Sequence, residues 1–216
     1  MKCVDMGDKK EIVVLVHGLW MHGIVFGLLR RRLARAGFTT LAWSYPSVRT
    51  GLAANSLGLT HFLNSIEADT VHLVGHSLGG IVALSALSAH RDPRVRRIVL
   101  MGSPCRGSRS GDKVTHMPGL SALVGKSMKD WLAAAPPQNL EGIELGVIAG
   151  SRNIGLVGTL VKLPKPNDGV VTVEEARHEL ANDMITLPVN HTEMLFSRRC
   201  ADQVAAFLKT GCFVQA

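Results

Sequence analysis

Short runs of β-branched and apolar residues alternate along the chain with stretches whose apolar residues recur every three to four positions. The first pattern predicts buried strands over 12–16, 39–43, 71–75, 95–101, 143–150 and 184–187. The second predicts helices over 21–36, 52–66, 78–90, 172–178 and 192–209. In the helix over 21–36, Ile24, Val25, Leu28, Leu29 and Leu33 form the apolar stripe, arginines fill the gaps and Gly37 closes the last turn. Thr172 with Glu175, and Asn190 with Glu193, have the spacing of reciprocal caps, which marks two helix starts. Strands alternating with helices imply a doubly wound, mainly parallel six-stranded sheet with helices on both faces. At 216 residues the chain is read as one domain over 1–216. The region 103–141 departs from the alternation, being rich in Gly, Ser, Pro and Met with a helical piece over 120–135. It is either a small lid or cap inserted after the fourth strand or an ordinary long connection carrying one helix.

The junction of the third strand and the third helix carries chemistry. Gly75-His76-Ser77-Leu78-Gly79 follows the strand directly, and a helix begins at once. A serine on so sharp a turn adopts strained backbone angles, and its neighbours two residues away must be small. Behind it, the helix N-terminus supplies positive potential where an oxyanion forms. Ser77 is therefore the candidate nucleophile.

A serine needs a base, and nine histidines compete for the role. His76 and His72 read as structural residues of the elbow and the strand, and His90 and His178 as helix-end residues. His61 and His116 have nothing to pair them with the elbow. His191 stands between the sixth strand and the last helix. In a parallel sheet that loop shares an edge with the loop of Ser77, which makes His191 the candidate base. Asp168, after the fifth strand and before a capped helix, lies on the same edge and is the candidate acid. Asp183 and Asp202 are its rivals. The order Ser77, Asp168, His191 is the one expected of a strand–elbow–helix hydrolase. One oxyanion donor is expected from the N–H of Leu78 and another from the loop His17-Gly18-Leu19-Trp20. Leu19 is the choice there, with Trp20 the alternative. Trp20, Met21 and Met117 are placed to wall a substrate pocket. Arg106 and Arg109 follow the fourth strand and either bind an anionic group on the substrate or hold the loop.

Composition narrows the reading. With 46% hydrophobic and 19% charged residues the chain has the apolar content for a packed core. The net charge of +7 suits acidic partners but speaks by itself only to solubility and association. Two arginine clusters, over 30–35 and 91–97, lie at helix ends away from the proposed site, and no aromatic residues interleave with them to stack bases. No nucleic-acid partner is therefore expected. The four cysteines have no zinc or disulfide spacing, so neither a zinc site nor a disulfide scaffold is expected; the expectation is of no metal and no cofactor. The first apolar run is far shorter than the ~20 residues that span a bilayer, and no signal-peptide pattern precedes it. The expectation is a cytoplasmic protein without stable membrane insertion.

Taken with these motifs, the chain resembles α/β-hydrolases of the bacterial lipase and esterase kind, in their minimal short-chain form. His17-Gly18-Leu19 is similar to their oxyanion motif, Gly75 to Gly80 to their elbow and Asp168-Gly169-Val170-Val171 to their acid loop. The segment from Met101 to Ser108 is similar to a lipase segment with Cys105 where histidine is usual. The resemblance implies a serine carboxylic-ester hydrolase acting through an acyl-enzyme on small-molecule esters with apolar groups. A thioesterase, lactonase or acyltransferase would share the triad. A basic binding module with a vestigial triad is the reading from a different class. Oligomeric state is not legible.

Overall fold

The computed structural model describes residues 10–108, 111–112, 124–133, 140–155 and 162–215. Six strands form one sheet: β1 (Glu11–Val16), β2 (Thr39–Trp43), β3 (Thr70–His76), β4 (Val95–Met101), β5 (Glu144–Gly150) and β6 (Asp183–Leu187). Their order is β2-β1-β3-β4-β5-β6, and every neighbouring pair is parallel. Runs such as Val13-Val14-Leu15-Val16 are fully buried, as a strand covered on both faces requires.

Alternate residues of these strands feed two cores. On one face Val14, Val16, Leu73 and Leu100 pack under α2 (Leu52–Asn64) and α3 (Leu78–Ala89). On the other Leu15, Val74, Val99 and Ile148 pack under α1 (Gly27–Arg35) and the C-terminal helix (Arg198–Thr210). The doubly wound reading therefore holds. Strand order reverses between β1 and β3, and in open α/β sheets ligand sites generally lie outside the C-terminal ends of strands at such a reversal.

Three of the predicted helices differ in the structure. The stretch 21–36 opens with a 3₁₀ turn, Gly23–Phe26, before α1, and its buried stripe is only Phe26, Leu29 and Leu33. Ile24 is 82% exposed and Leu28 38%, so neither joins the core. The stretch 192–209 is broken at Ser197, whose hydroxyl accepts from the N–H of Cys200 and starts the long helix afresh. Asn190 and Glu193 do bond reciprocally, at 2.8 and 3.2 Å, but the element they open is a single 3₁₀ turn, Glu193–Leu195. Thr172 and Glu175 form the anticipated capping box, and the helix it starts is one turn long, Val173–Ala176.

Within the region 103–141 the described residues are 103–108, 111–112, 124–133 and 140–141; they include α4 (Gly125–Ala133), and residues 120–123 and 134–135 of the expected helix lie outside them. Met128 and Trp131 of α4 are buried, and the Trp131 indole N–H donates to the carbonyl of Pro104 at 3.0 Å. Naming the two remaining helices in chain order, Val173–Ala176 is α5 and Arg198–Thr210 is α6.

Candidate active site

The elbow is built by exclusion of side-chain volume. Ser77 sits between β3 and α3 with φ 54° and ψ −126°, a region that residues with a Cβ rarely occupy. A Cβ on Gly75 would stand 2.3 Å from the Gly80 Cα, and one on Gly79 would stand 2.0 Å from the Val16 carbonyl oxygen. Both positions need glycine because β1 and the first turn of α3 press against the turn from either side. The Ser77 N–H donates to the Met101 carbonyl at 2.9 Å, which anchors the elbow to β4.

Asp168 and His191 meet over the same edge. His191 Nδ1 lies 2.7 Å from Asp168 Oδ2, and both residues are buried. The other carboxylate oxygen accepts from the N–H groups of Val170 at 2.9 Å and Val171 at 2.7 Å. A carboxylate only accepts, so the Nδ1 of His191 donates, and in the neutral ring the lone pair is then on Nε2. The main chain repeats the tie, since the His191 N–H donates to the Asp168 carbonyl at 2.9 Å. Gly102, at φ 59°, forms the floor: a Cβ there would lie 3.1 Å from both Asp168 Oδ2 and His191 Nδ1.

The rival acids are engaged elsewhere. Asp183 begins β6 and accepts from the N–H groups of Met184 and Phe213. Asp202 pairs loosely with Arg198 at 3.5 Å on the surface of α6.

The loop after β1 is held by His17 of the expected oxyanion motif together with Tyr45 and Ser47, which the sequence reading did not single out. Buried His17 shares a hydrogen bond between its Nδ1 and the Gly18 carbonyl at 2.9 Å, and its Nε2 accepts from the Tyr45 N–H at 3.2 Å. The first of these requires the proton on Nδ1 and the second a lone pair on Nε2, so the ring is neutral, and burial lowers its pKa in keeping with that. Tyr45 stacks on the ring and donates its hydroxyl to the His17 carbonyl at 2.8 Å. Ser47 Oγ accepts from the Trp20 N–H at 3.2 Å, with Trp20 held at φ 60°. The available signal was topological: β2 lies beside β1, so the segment Ser44 to Ser47 emerges next to the His17 loop.

Of the other candidates, Leu19 is partly buried against the α2/α3 core, and Leu78 is the first residue of α3, where its N–H has no intrahelical acceptor. Trp20 is 62% exposed, Met21 packs partly against the α1/α6 core and Met117 lies outside the described residues. Arg106 is engaged by Glu174 at 2.6 Å and Glu179 at 3.4 Å and ties its loop to α5, as the loop-holding alternative requires. Arg109 lies outside the described residues. Burial pushes the Cys105 thiol up to about 12, so this side chain stays protonated and offers no thiolate to rival the serine. Among the described residues no group of three His, Cys, Asp or Glu side chains is placed to hold a metal, and no helix is long and apolar enough to cross a membrane.

The family model of the alpha/beta hydrolase family matches residues 13–187, and the chain belongs to that family. Among curated relatives, a 2-hydroxy-6-oxononadienedioate/2-hydroxy-6-oxononatrienedioate hydrolase of Pseudomonas putida is 30% identical over 115 residues, 48% of this chain and 40% of the relative. An N-formylmaleamate deformylase of Pseudomonas putida is 29% identical over 109 residues, 47% of this chain and 40% of the relative. The matched region thus spans well under half of either relative. Among solved structures, a mature Bacillus licheniformis lipase superposes with TM-score 0.76 at 20% identity, covering 96% of this chain and 94% of the lipase. A metagenomic carboxyl esterase gives TM-score 0.67 at 20% identity over 86% of this chain and 65% of its own. At these identities the structures speak to the shared fold.

Proposed function

We propose that the protein is a serine hydrolase of carboxylic esters with apolar groups. The observation that carries the proposal is the buried Asp168–His191 pair on the same sheet edge as a serine held at positive φ between β3 and α3. Ser77 Oγ attacks the ester carbonyl carbon while its proton passes to His191 Nε2, and Asp168 stabilises the imidazolium. The tetrahedral oxyanion is received by the N–H groups of Leu78 and Leu19. The first of these lies at the positive end of α3. The second is favoured over Trp20 because the Trp20 N–H is already given to Ser47. Collapse of the intermediate returns the proton to the leaving alcohol and leaves an acyl group on Ser77. Water, deprotonated by His191, then releases the acid and restores the serine. Trp20, exposed beside the loop, supplies apolar surface for the substrate, and no cofactor enters the cycle.

The proposal is tested by a fluorophosphonate, which forms a stable bond only with an activated serine. Labelling that maps to Ser77, together with turnover of short p-nitrophenyl esters, is the expected result. Ser77→Ala should fall to the residual that binding and oxyanion donors provide, roughly 10³–10⁴ over water. An unlabelled, folded wild-type protein would turn the reading toward a binding module with a vestigial site. Thioester, lactone and acyl-acceptor panels run beside the esters separate the reactions that would use the same triad.

A further inference from the structure

The α1/α6 face of β3 ends in a residue that neither the core nor the triad accounts for. His76 follows Val74 on that face by strand alternation and is fully buried, in a position where an aliphatic side chain would fill the space. Its Nε2 lies 3.0 Å from the carbonyl oxygen of His191, and the two rings stand 4.8 Å apart and inclined by 49°. A carbonyl oxygen accepts only, so the Nε2 of His76 carries the proton and donates it. Burial drives the pKa of His76 down to about 3, so the ring is neutral and Nδ1 is left with a bare lone pair. That Nδ1 is buried with no hydrogen-bond partner and faces Gly18 of the oxyanion loop, 3.2 Å from where a Cβ on Gly18 would stand. An apolar residue would avoid this unpaired nitrogen. The bond to His191 is what the histidine supplies in return.

We infer that His76 is a positioning residue, whose Nε2–H ties the main chain of the general base to the strand that carries the nucleophile. The inference rests on the proposed function and adds a residue to it. The His191 backbone is then held at both ends, its N–H by the Asp168 carbonyl and its carbonyl by His76. The ring is held separately by Asp168 Oδ2. Because His76 immediately precedes Ser77, the spacing between Ser77 and His191 is set through a single covalent neighbour instead of through the long chain between them. Without the tie, the 188–192 segment keeps its link to Asp168 but loses its link to the elbow, and base and nucleophile are free to drift apart.

The test compares His76→Met, His76→Gln and His76→Asn in the full chain. Met keeps the volume and loses the donor. Gln carries an amide N–H out to the level of Nε2, whereas the shorter Asn amide ends near the level of Nδ1. Turnover and KM on a p-nitrophenyl ester, the rate of fluorophosphonate labelling at Ser77 and the melting temperature are measured for each. His76→Met is expected to lose about 10²-fold in kcat, the order that a displacement of ~1 Å costs, with KM little changed and labelling slowed in parallel. His76→Gln recovers most of that loss, and His76→Asn does not. Wild-type kcat in folded His76→Met overturns the inference, as does a Gln variant no faster than the Asn one. The Gln–Asn comparison decides the matter if the Met variant does not fold. Wild-type protein that fails to label at Ser77 overturns the proposed function itself, and is distinguished by being seen before any substitution at His76.

Discussion

Asp168 commits both carboxylate oxygens to fixed donors, Oδ1 to the N–H groups of Val170 and Val171 and Oδ2 to His191. In Asp168→Asn the amide keeps its oxygen on the two backbone donors, because the alternative would set two N–H groups against its own NH₂. The NH₂ then faces Nδ1 of His191 and forces the proton to Nε2, where it cannot accept from Ser77. The expected loss in kcat approaches the ~10⁴-fold seen when the acid of a serine protease triad is amidated, with the fold intact by circular dichroism. Asp183→Asn loses an acceptor for the N–H of Phe213 or Met184, so its melting temperature falls while kcat stays close to wild type. A large kcat loss in folded Asp183→Asn, with a mild one at Asp168, would reverse the assignment. Candidates such as Asp168 and His191 were legible because parallel strands send all their C-terminal loops to one edge, so chain position stands in for spatial position. His76 and Ser47 were not, because their contacts with His191 and Trp20 run between segments remote in sequence, and residue type alone does not specify a partner across the sheet.

The elements of the fold were legible wherever one periodicity ran unbroken, as in β1, β4 and α3. They were misread where two elements shared a pattern. The 3₁₀ turn Gly23–Phe26 and α1 read as one helix because both bury an apolar side, and Ser197 went unnoticed as a cap because the apolar spacing continues across it. α4 falls within the helical piece expected over 120–135, but its role, which is to brace α2, was not readable from the sequence. Asp130 Oδ2 accepts from the Leu52 N–H at 2.8 Å and so caps α2 from outside, at an N-terminus where Gly51 has no side chain to do so. Ser127, fully buried, donates to the Thr50 carbonyl and accepts from the Asn55 amide. The Lys126 N–H donates to the Val48 carbonyl, in the segment that also carries Ser47. Removing the cap with Asp130→Ala should cost about 1 kcal/mol, which in a chain of this size lowers the melting temperature by roughly 2–4 °C. An unchanged melting temperature in thermal denaturation would mean that α4 does not support α2 in solution.

At the scale of the whole molecule, stability is tied to pH through histidines that fold in the neutral state. Burial lowers the pKa of His17, His72, His76 and His178 from the usual value near 6.5, and takes His76 down to about 3. At His72 the adjoining Glu11 carboxylate opposes the effect of burial without overcoming it. For a base whose pKa is lower in the folded state, the unfolded chain takes up protons first as the pH falls. The stabilisation is therefore complete above pH 6.5 and is lost progressively from there toward each folded-state value. Each such histidine contributes up to ~1.4 kcal/mol per pH unit within its window, and the windows overlap just below 6.5. Asp92 adds a later step of the same sign. Burial alone would raise its carboxyl, but hydrogen bonds from Arg94 hold it below its ordinary value, so its contribution fades only as the pH drops through the carboxylate range. The melting temperature should accordingly be flat between pH 7 and 8 and fall steadily below about 6.5, well before ordinary carboxylates titrate. His17→Gln retains neutral hydrogen-bonding capacity without the titration, so it should be less stable than wild type at pH 8 and lose less on going to pH 5. Scans of both proteins by differential calorimetry across that range decide it. Parallel slopes would mean that His17 titrates alike in the folded and unfolded chains, and so that the neutral ring bonded to Gly18 and Tyr45 does not persist in solution.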